Sequence, residues 1–224
     1  MAVDPSSDAV HEARVMIRQA GDRALLVEPS DRAELAGVID YLRDEPVAGV
    51  SDILPAARTV LITLRPGVDA AVLTRRLRTA FSAVSERAGG DAKDVALVEI
   101  PVRYDGVDLA ETAALLGISE PELIARHTGA QWRCAFIGFA PGFGYLEAPG
   151  AQLTVPRHEQ SRTAVPAGAV ALAGGYSAVY PRSSPGGWRI IGRTTATLWD
   201  LDRREPALLR PGTRVRFTAE KSTA

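Results

Sequence analysis

The 224-residue sequence contains a single cysteine, Cys134, and only three histidines, His11, His127 and His158. One cysteine excludes an intrachain disulfide framework. The histidines show no HxH or HxxxH spacing and have no cysteine neighbour, so we predict no metal site. Cys134 lies in an apolar run, which favours a small buried side chain over a nucleophile.

Long hydrophobic runs are also missing. No apolar stretch approaches the roughly 20 residues that a membrane helix needs. Asp4, Asp8 and Glu12 stand where a signal peptide would be basic. With 46% apolar and 24% charged residues, the composition is that of an ordinary soluble protein. We therefore expect a cytoplasmic protein with no signal peptide and no membrane span.

Several catalytic and nucleotide-binding motifs are absent as well. The sequence has no GxSxG elbow, no GxxxxGK[ST] loop and no GxGxxG that opens a helix. Residues 138–144 have the glycine density of a phosphate loop, but neither a helix nor a lysine follows them. No basic stripe or recognition helix indicates nucleic-acid binding.

Lysine is nearly absent, since only Lys93 and Lys221 accompany the arginines. Residues 126–193 contain seven arginines against two glutamates, a net charge of +5. A basic cleft attracts anions, and the arginine fork suits carboxylate or phosphate. A genome-wide preference for arginine explains the ratio equally well, and a salt bridge explains any one arginine.

Glycine is concentrated in one segment, because residues 138–194 hold 10 of the 20 glycines. Aromatic residues stand beside many of them, which indicates shaped loops around a site, although barrel packing accounts for some. Phe143 and Tyr145 follow a Pro141-Gly142 turn, and we expect them to face a ligand or a partner.

Strand and helix patterns alternate over the first half. Asp31 and Glu34 form a capping box that begins a helix. The other predicted elements are extended segments at 15–17 and 24–28, strands at 47–54 and 58–64, a helix after 68, and a strand at 94–102. This order predicts a ferredoxin-like α+β domain over residues 1–102, with residues 1–12 disordered.

The second half changes in character. Residues 108–116 and 120–126 are predicted as short helices, the second capped by Ser119, and they make 103–130 a helical connector. From Gln131 onward, short β-type runs separated by Gly/Pro turns predict a β-barrel or sandwich over residues 131–224.

The motifs of this half carry a resemblance. GFAPGFGYL at 138–146, VPR at 155–157, VPAGAVALAGG at 165–175, SPGGWRIIGRT at 184–194 and LLRPGTRVRF at 208–217 follow one another. In this order they resemble the KipI/allophanate hydrolase subunit 1 family, which includes B subunits of bacterial ATP-dependent 5-oxoprolinases. Tyr176-Ser177-Ala178 departs from the QTG that is common in the family.

The resemblance implies a cyclophilin-like barrel after the ferredoxin-like domain. It also implies a C subunit of the allophanate hydrolase subunit 2 type and an A subunit as partners. Together they would hydrolyse 5-oxo-L-proline, a small amide, to glutamate with ATP, which we expect a partner to bind. This chain alone would be inactive, and no catalytic residue is assigned to it.

The same resemblance places one wall of a composite substrate site on this chain. An arginine would hold the substrate carboxylate, and N–H groups of the glycine loops would face a developing oxyanion. The expected substrate-binding residues are Phe143, Arg157, Arg162, Gly174, Gly187, Trp188 and Arg193. Pro141, Tyr145 and His127 are expected at the partner interface.

Two alternatives remain open at the level of sequence. The family's founding member inhibits a sensor histidine kinase, which would make the exposed aromatic surface a protein interface. Fused relatives form carboxyltransferase domains in urea carboxylases, which would place this chain in urea or amide metabolism.

Overall fold

The computed structural model describes residues 15–86 and 97–220. The chain divides into two compact units, within residues 1–93 and 94–224. The predicted disordered segment at 1–12 lies outside the described residues. Among the helices that the structure describes, none combines the length and the apolar character that a membrane span requires.

The first unit is an antiparallel sheet with two helices. Its elements are β1 (Val15–Gln19), β2 (Ala24–Pro29), α1 (Arg32–Asp44), β3 (Val50–Pro55), β4 (Val60–Leu64) and α2 (Ala70–Glu86). The order in the sheet is β1-β2-β4-β3. Asp31 caps α1 by accepting a hydrogen bond from the Glu34 N–H at 2.8 Å, as its capping box predicts. Alternating residues such as Leu25, Val27 and Ile62 are buried against the helices.

The ferredoxin-like arrangement is not confirmed, and the predicted boundary at residue 102 is wrong. The strand that we assigned to the end of this domain, β5 (Leu97–Val102), belongs to the second unit. It pairs in parallel with a strand at 214–219, and Ile100 and Val102 are buried there. The edge of the first sheet beside β2 is occupied by β1 instead. A two-residue alternation predicts a strand but does not specify its neighbour.

The second unit is built on one large sheet. Its further strands are β6 (Trp132–Ile137), β7 (Gly144–Glu147), β8 (Arg162–Val165), β9 (Ala169–Ala173), β10 (Tyr176–Val179), β11 (Ser184–Gly186), β12 (Arg189–Arg193) and β13 (Arg214–Ala219). Seven strands follow the order β12-β9-β10-β7-β6-β13-β5, and β8 pairs with β11 separately.

The edges of the seven-stranded sheet meet. The Arg103 N–H donates to the Arg193 carbonyl at 2.8 Å, and the Arg193 N–H returns a bond to Arg103 at 2.9 Å. This bridge joins the end of β5 to the end of β12 and nearly closes a barrel, which confirms the β-barrel prediction and the α+β class. Its cyclophilin-like type stays a prediction.

The predicted connector is part of the barrel unit. Helix α3 (Leu109–Leu116) and helix α4 (Glu120–Gly129) have the expected positions, and Ser119 caps α4 through the Glu122 N–H. Leu109 and Leu123 are buried in the same core as the barrel strands. The apolar faces of these short helices would be exposed in a free linker, so they pack on the barrel instead.

The barrel sheet has a different core on each face. Val170 and Leu172 of β9 lie in the large aliphatic core, whereas the intervening Ala171 lies in a second cluster rich in aromatic rings. Successive side chains of a strand point to opposite faces. The aliphatic core takes side chains from all seven strands and so fills the inside of the barrel. The aromatic cluster therefore lies on the outer face of the barrel sheet, and the site is found there.

Candidate functional site

Five aromatic side chains cover part of this outer face, and we call Phe136, Phe143, Tyr145, Tyr180 and Trp188 the aromatic floor. Tyr145 stacks on Phe136 with ring centroids 4.2 Å apart. Trp188 meets the edges of both Tyr145 and Phe143 at 5.6 Å, and Phe143 meets Tyr180 at 5.3 Å. Offset and edge-to-face pairs at these separations are favourable, so the rings hold one another in place.

The loop between β6 and β7 displays a different phenylalanine from the one that we predicted. Phe143 is 1% exposed and packs in the floor, so its expected contact with a ligand or partner is wrong for this structure. Phe139 is 59% exposed instead, with a left-handed φ of 67°. Such a conformation is strained for a phenylalanine, which is typical of functional loops. Pro141 is exposed and Tyr145 is half-buried, as contact with a partner would need.

Arg157 lies on the floor. Its guanidinium carbon is 5.8 Å from the Trp188 ring centroid, a cation–π distance. The Arg157 side chain is exposed, whereas Trp188 is buried. Burial raises the pKa of Tyr145, and the positive charge of Arg157 opposes that shift. The predicted residues Arg157 and Trp188 are therefore brought together at the edge of the floor.

Asp108 organises the polar side of the site. Its Oδ2 accepts the Ile190 N–H at 2.7 Å, and its Oδ1 accepts Arg162 Nη2 at 2.6 Å. His158 Nε2 lies 3.3 Å from Oδ1. Burial raises the pKa of Asp108, but these three donors and the charge of Arg162 outweigh it and lower the pKa below its usual value. At neutral pH the Asp108 carboxylate is therefore charged and is already bound by these donors.

Asp108, Glu111 and His158 could together offer ligand atoms to a metal, since these atoms lie within 4.8 Å of one another. Each carboxylate already has an arginine partner. Arg162 binds Asp108, and Arg189 Nη1 lies 2.9 Å from Glu111 Oε1. A cation would have to displace both arginines, so the donor set does not favour one. That the chain binds no metal stays a prediction.

The other predicted substrate residues are spread over the barrel unit. Gly187 joins the site, because its carbonyl accepts the His158 N–H at 2.8 Å. Gly174 forms the turn between β9 and β10, where its N–H donates to the Val155 carbonyl at 2.7 Å. Arg193 lies where the sheet edges meet, and its Nη2 is 2.8 Å from Asp105 Oδ2. Its described contacts do not include the floor.

His127 is not at the surface, so its predicted place at a partner interface is wrong. The side chain is fully buried, with Nδ1 2.7 Å from the Tyr104 hydroxyl and Nε2 2.9 Å from the Ser177 hydroxyl. Its ring stacks on Phe217 at 4.3 Å. Burial lowers the pKa of His127 to about 3, so the ring is neutral at physiological pH. The histidine joins α4 to β10 inside the barrel.

Cys134 is buried as predicted, with no exposed surface. Burial raises the pKa of its thiol to about 12, which keeps it protonated and unreactive. It therefore supplies no nucleophile to the site.

A pocket of about 610 Å³ lies elsewhere on the second unit. The end of α4 and the turn at 148–152 form its wall, with Arg126, Gln131 and Gln152 as polar members. It contains none of the predicted site residues. Arg126 is paired with Glu122 at 2.8 Å, which leaves the pocket without a free charge from that arginine.

Sequence reasoning missed Asp108 and His158. Asp108 stands before α3, where an aspartate is ordinarily a helix cap, yet its side chain makes no cap bond. It reaches Ile190, which is 82 residues away. The usable signal was a negative charge beside a helix start, followed later in the chain by a segment rich in arginine, but sequence spacing could not show that the two segments meet.

The comparisons with known proteins agree on one group. The model for the family described as carboxyltransferase domain, subdomain C and D, matches residues 15–209. The chain is similar to an Escherichia coli O157:H7 protein that is named as the B subunit of 5-oxoprolinase, with 46% identity over 127 residues, 55% of this chain and 58% of that protein. Over this stretch the match spans little more than half of the relative.

Two further similarities cover most of the chain. A Bacillus subtilis (strain 168) protein, also named as a 5-oxoprolinase B subunit, is 32% identical over 221 residues, which are 91% of this chain and 92% of the relative. The solved structure named TTHA0988 is 33% identical with a TM-score of 0.69, and the match covers 93% of this chain. It covers only 41% of the TTHA0988 chain, which is therefore much longer.

Proposed function

Because the chain belongs to the carboxyltransferase subdomain C and D family, we propose that it is the B subunit of an ATP-dependent 5-oxoprolinase. The similarity to the Bacillus subtilis relative carries this proposal, since it extends over nine-tenths of both chains. The E. coli relative of the same name adds higher identity over a shorter stretch. The reaction adds water across the lactam C–N bond of 5-oxo-L-proline to give L-glutamate, and ATP is hydrolysed to ADP and phosphate.

The chain's own part in this reaction is to bind the substrate. The described residues of the site include arginines, phenols and an indole, whereas Cys134 is buried and protonated and Asp108 is held by Arg162. A site of this kind can orient a small carboxylate, and the groups that activate ATP and the lactam would come from partner subunits. Since ATP is available in the cytoplasm, we propose that the complex works there.

The partners would be an A subunit and a C subunit of the allophanate hydrolase subunit 2 type. Two observations support a partner. This chain corresponds to 41% of the longer TTHA0988 chain, which must carry further modules. Phe139, Pro141 and Trp199 are exposed around one loop, where a Cβ at Gly142 would touch Trp199 at 2.9 Å. Exposed aromatic residues are typical of interfaces.

The test is reconstitution of the complex from separately purified subunits. The A and C subunits encoded by the same genome are mixed with this chain, 5-oxo-L-proline and ATP, and glutamate and ADP are measured. We expect both products only when all three subunits are present. Equal glutamate release after omission of this chain would contradict the proposal.

The two alternatives are not favoured. An inhibitor of a histidine kinase or a component of urea metabolism is consistent with the family, but the relatives at 46% and 32% identity are both named as 5-oxoprolinase subunits. A pull-down that recovers a kinase dimerisation domain and neither partner subunit would reverse this preference.

A further inference from the structure

The three arginines predicted to contact the substrate differ in whether a carboxylate of the chain already pairs with them. Arg162 Nη2 lies 2.6 Å from Asp108 Oδ1, and Arg193 Nη2 lies 2.8 Å from Asp105 Oδ2. A guanidinium that is paired with a carboxylate attracts a second anion weakly, because the pair is close to neutral. Among the described residues, Arg157 has no ion pair and keeps its full charge.

The position of Arg157 suits an anion. Its guanidinium carbon is 5.8 Å from the centroid of the Trp188 ring, and the side chain is exposed. A guanidinium over an aromatic face is attracted by the electrons of the ring, and this attraction leaves its N–H donors unused. The ring can therefore hold Arg157 in place while the N–H donors stay available for a carboxylate.

The surroundings add hydrogen-bonding groups near the same charge. Arg157 acts electrostatically on the phenols of Tyr145 and Tyr180 and opposes the rise of their pKa values on burial. Tyr180 is buried, and its hydroxyl oxygen accepts a hydrogen bond from the backbone N–H of Trp188. Tyr145 is only half-buried, so of these two tyrosines it is the one that keeps surface open to a ligand beside the guanidinium.

We propose that Arg157, supported by Trp188 with Tyr145 beside it, is the residue that binds the carboxylate of the substrate, whereas Arg162 is committed to Asp108 and Arg193 to Asp105. The ligand class is a small carboxylate with a neutral body. That this carboxylate is 5-oxo-L-proline rests on the proposed function.

The test is equilibrium binding to the assembled complex without ATP, by titration calorimetry with 5-oxo-L-proline and its neutral analogue 5-oxo-L-prolinamide. We expect the wild type to prefer the carboxylate. Arg157→Met should weaken binding of the carboxylate about 10- to 100-fold, the range for loss of a hydrogen bond between charged groups, and leave the amide unchanged. Arg157→Lys keeps the charge without the fork and should fall between the two.

Arg204→Met is the matched control, because Arg204 is exposed in the loop before β13 and has no ion pair among the residues that the structure describes. It should bind both ligands as the wild type does. Thermal unfolding of Arg157→Met should match that of the wild type, because the side chain is at the surface.

The outcomes separate this inference from the proposed function. If Arg157→Met keeps the preference for the carboxylate, or the wild type has none, the inference is overturned, even in a complex that hydrolyses 5-oxo-L-proline. If the wild type prefers the carboxylate through Arg157 but releases no glutamate when ATP is added, the inference stands and the proposed function fails.

Discussion

Replacement of Asp108 by asparagine is the most informative change to the barrel unit. The carboxylate is 3% exposed and accepts hydrogen bonds from the Ile190 N–H and from Arg162, with His158 close by. Asparagine has almost the same shape but removes the charge, and it turns an NH₂ group toward one of these donors. Removal of one member of a buried ion pair costs about 3–5 kcal/mol. Because a third of the Arg162 side chain is exposed, we expect the low end, about 3 kcal/mol.

Asp105→Asn is the matched control, three residues earlier in the same segment. Asp105 pairs with Arg103 at 3.0 Å and with Arg193 at 2.8 Å, but these arginines are 59% and 62% exposed. Exposed pairs contribute about 0–1 kcal/mol. The two substitutions therefore remove the same charge and should differ about threefold or more in their effect on the free energy of unfolding.

The assay is urea unfolding followed by tryptophan fluorescence. All three tryptophans, Trp132, Trp188 and Trp199, lie in the second unit, so the signal reports that unit even if the two units unfold separately. The lowered pKa of Asp108 means that its contribution is complete above the usual carboxyl pKa and is lost only as the pH falls below it. The penalty should be equal at pH 6 and pH 8. Equal penalties for Asp105→Asn and Asp108→Asn would contradict a buried ion pair at Asp108.

Two further predictions concern the barrel interior and the edge of the site. His127 has a pKa of about 3 in the folded chain, below its ordinary 6.5, so its stabilising effect is complete above pH 6.5 and declines as the pH falls toward 3. Between pH 7 and pH 5 the free energy of unfolding should fall by about 2 kcal/mol from this cause. Urea titrations of His127→Gln should show a dependence of that free energy on pH that is weaker by this amount. The same pH dependence in the variant as in the wild type would count against a buried neutral ring. A Cβ at Gly186 would overlap the Tyr180 hydroxyl, so Gly186→Ala should destabilise the second unit by about 1–3 kcal/mol. The penalty should be smaller in a Tyr180→Phe background. Gly129→Ala is the control, because a Cβ there meets nothing within 4 Å, and it should destabilise the unit less than Gly186→Ala does in either background. Equal penalties for Gly186→Ala and Gly129→Ala would contradict the overlap.

The local elements follow directly from the sequence. The capping residues Asp31 and Ser119 begin helices in the structure as their side-chain chemistry requires. The short apolar runs after residue 131 form the barrel strands. These features depend on neighbours within a few residues, so a single sequence carries the information.

Features that depend on distant neighbours were harder to predict. The strand at 97–102 pairs with β13, about 117 residues away, and nothing in its alternation pointed there. Phe143 and His127 stand in conspicuous motifs, yet both are buried, because a motif can be needed for packing as well as for binding. The arginines of the site were recognised by type and clustering, but only the structure distinguishes Arg157 from those already paired with carboxylates.

The proposed role of this chain is to supply the carboxylate-binding wall of a 5-oxoprolinase. The most direct measurement is ATP-coupled release of glutamate from 5-oxo-L-proline by the reconstituted complex that contains either the wild-type chain or Arg157→Met. We expect activity with the wild type and a KM that is about 10- to 100-fold higher for the variant, with kcat changed much less, since the lost contact serves binding. An unchanged KM, or full activity without this chain, would contradict it.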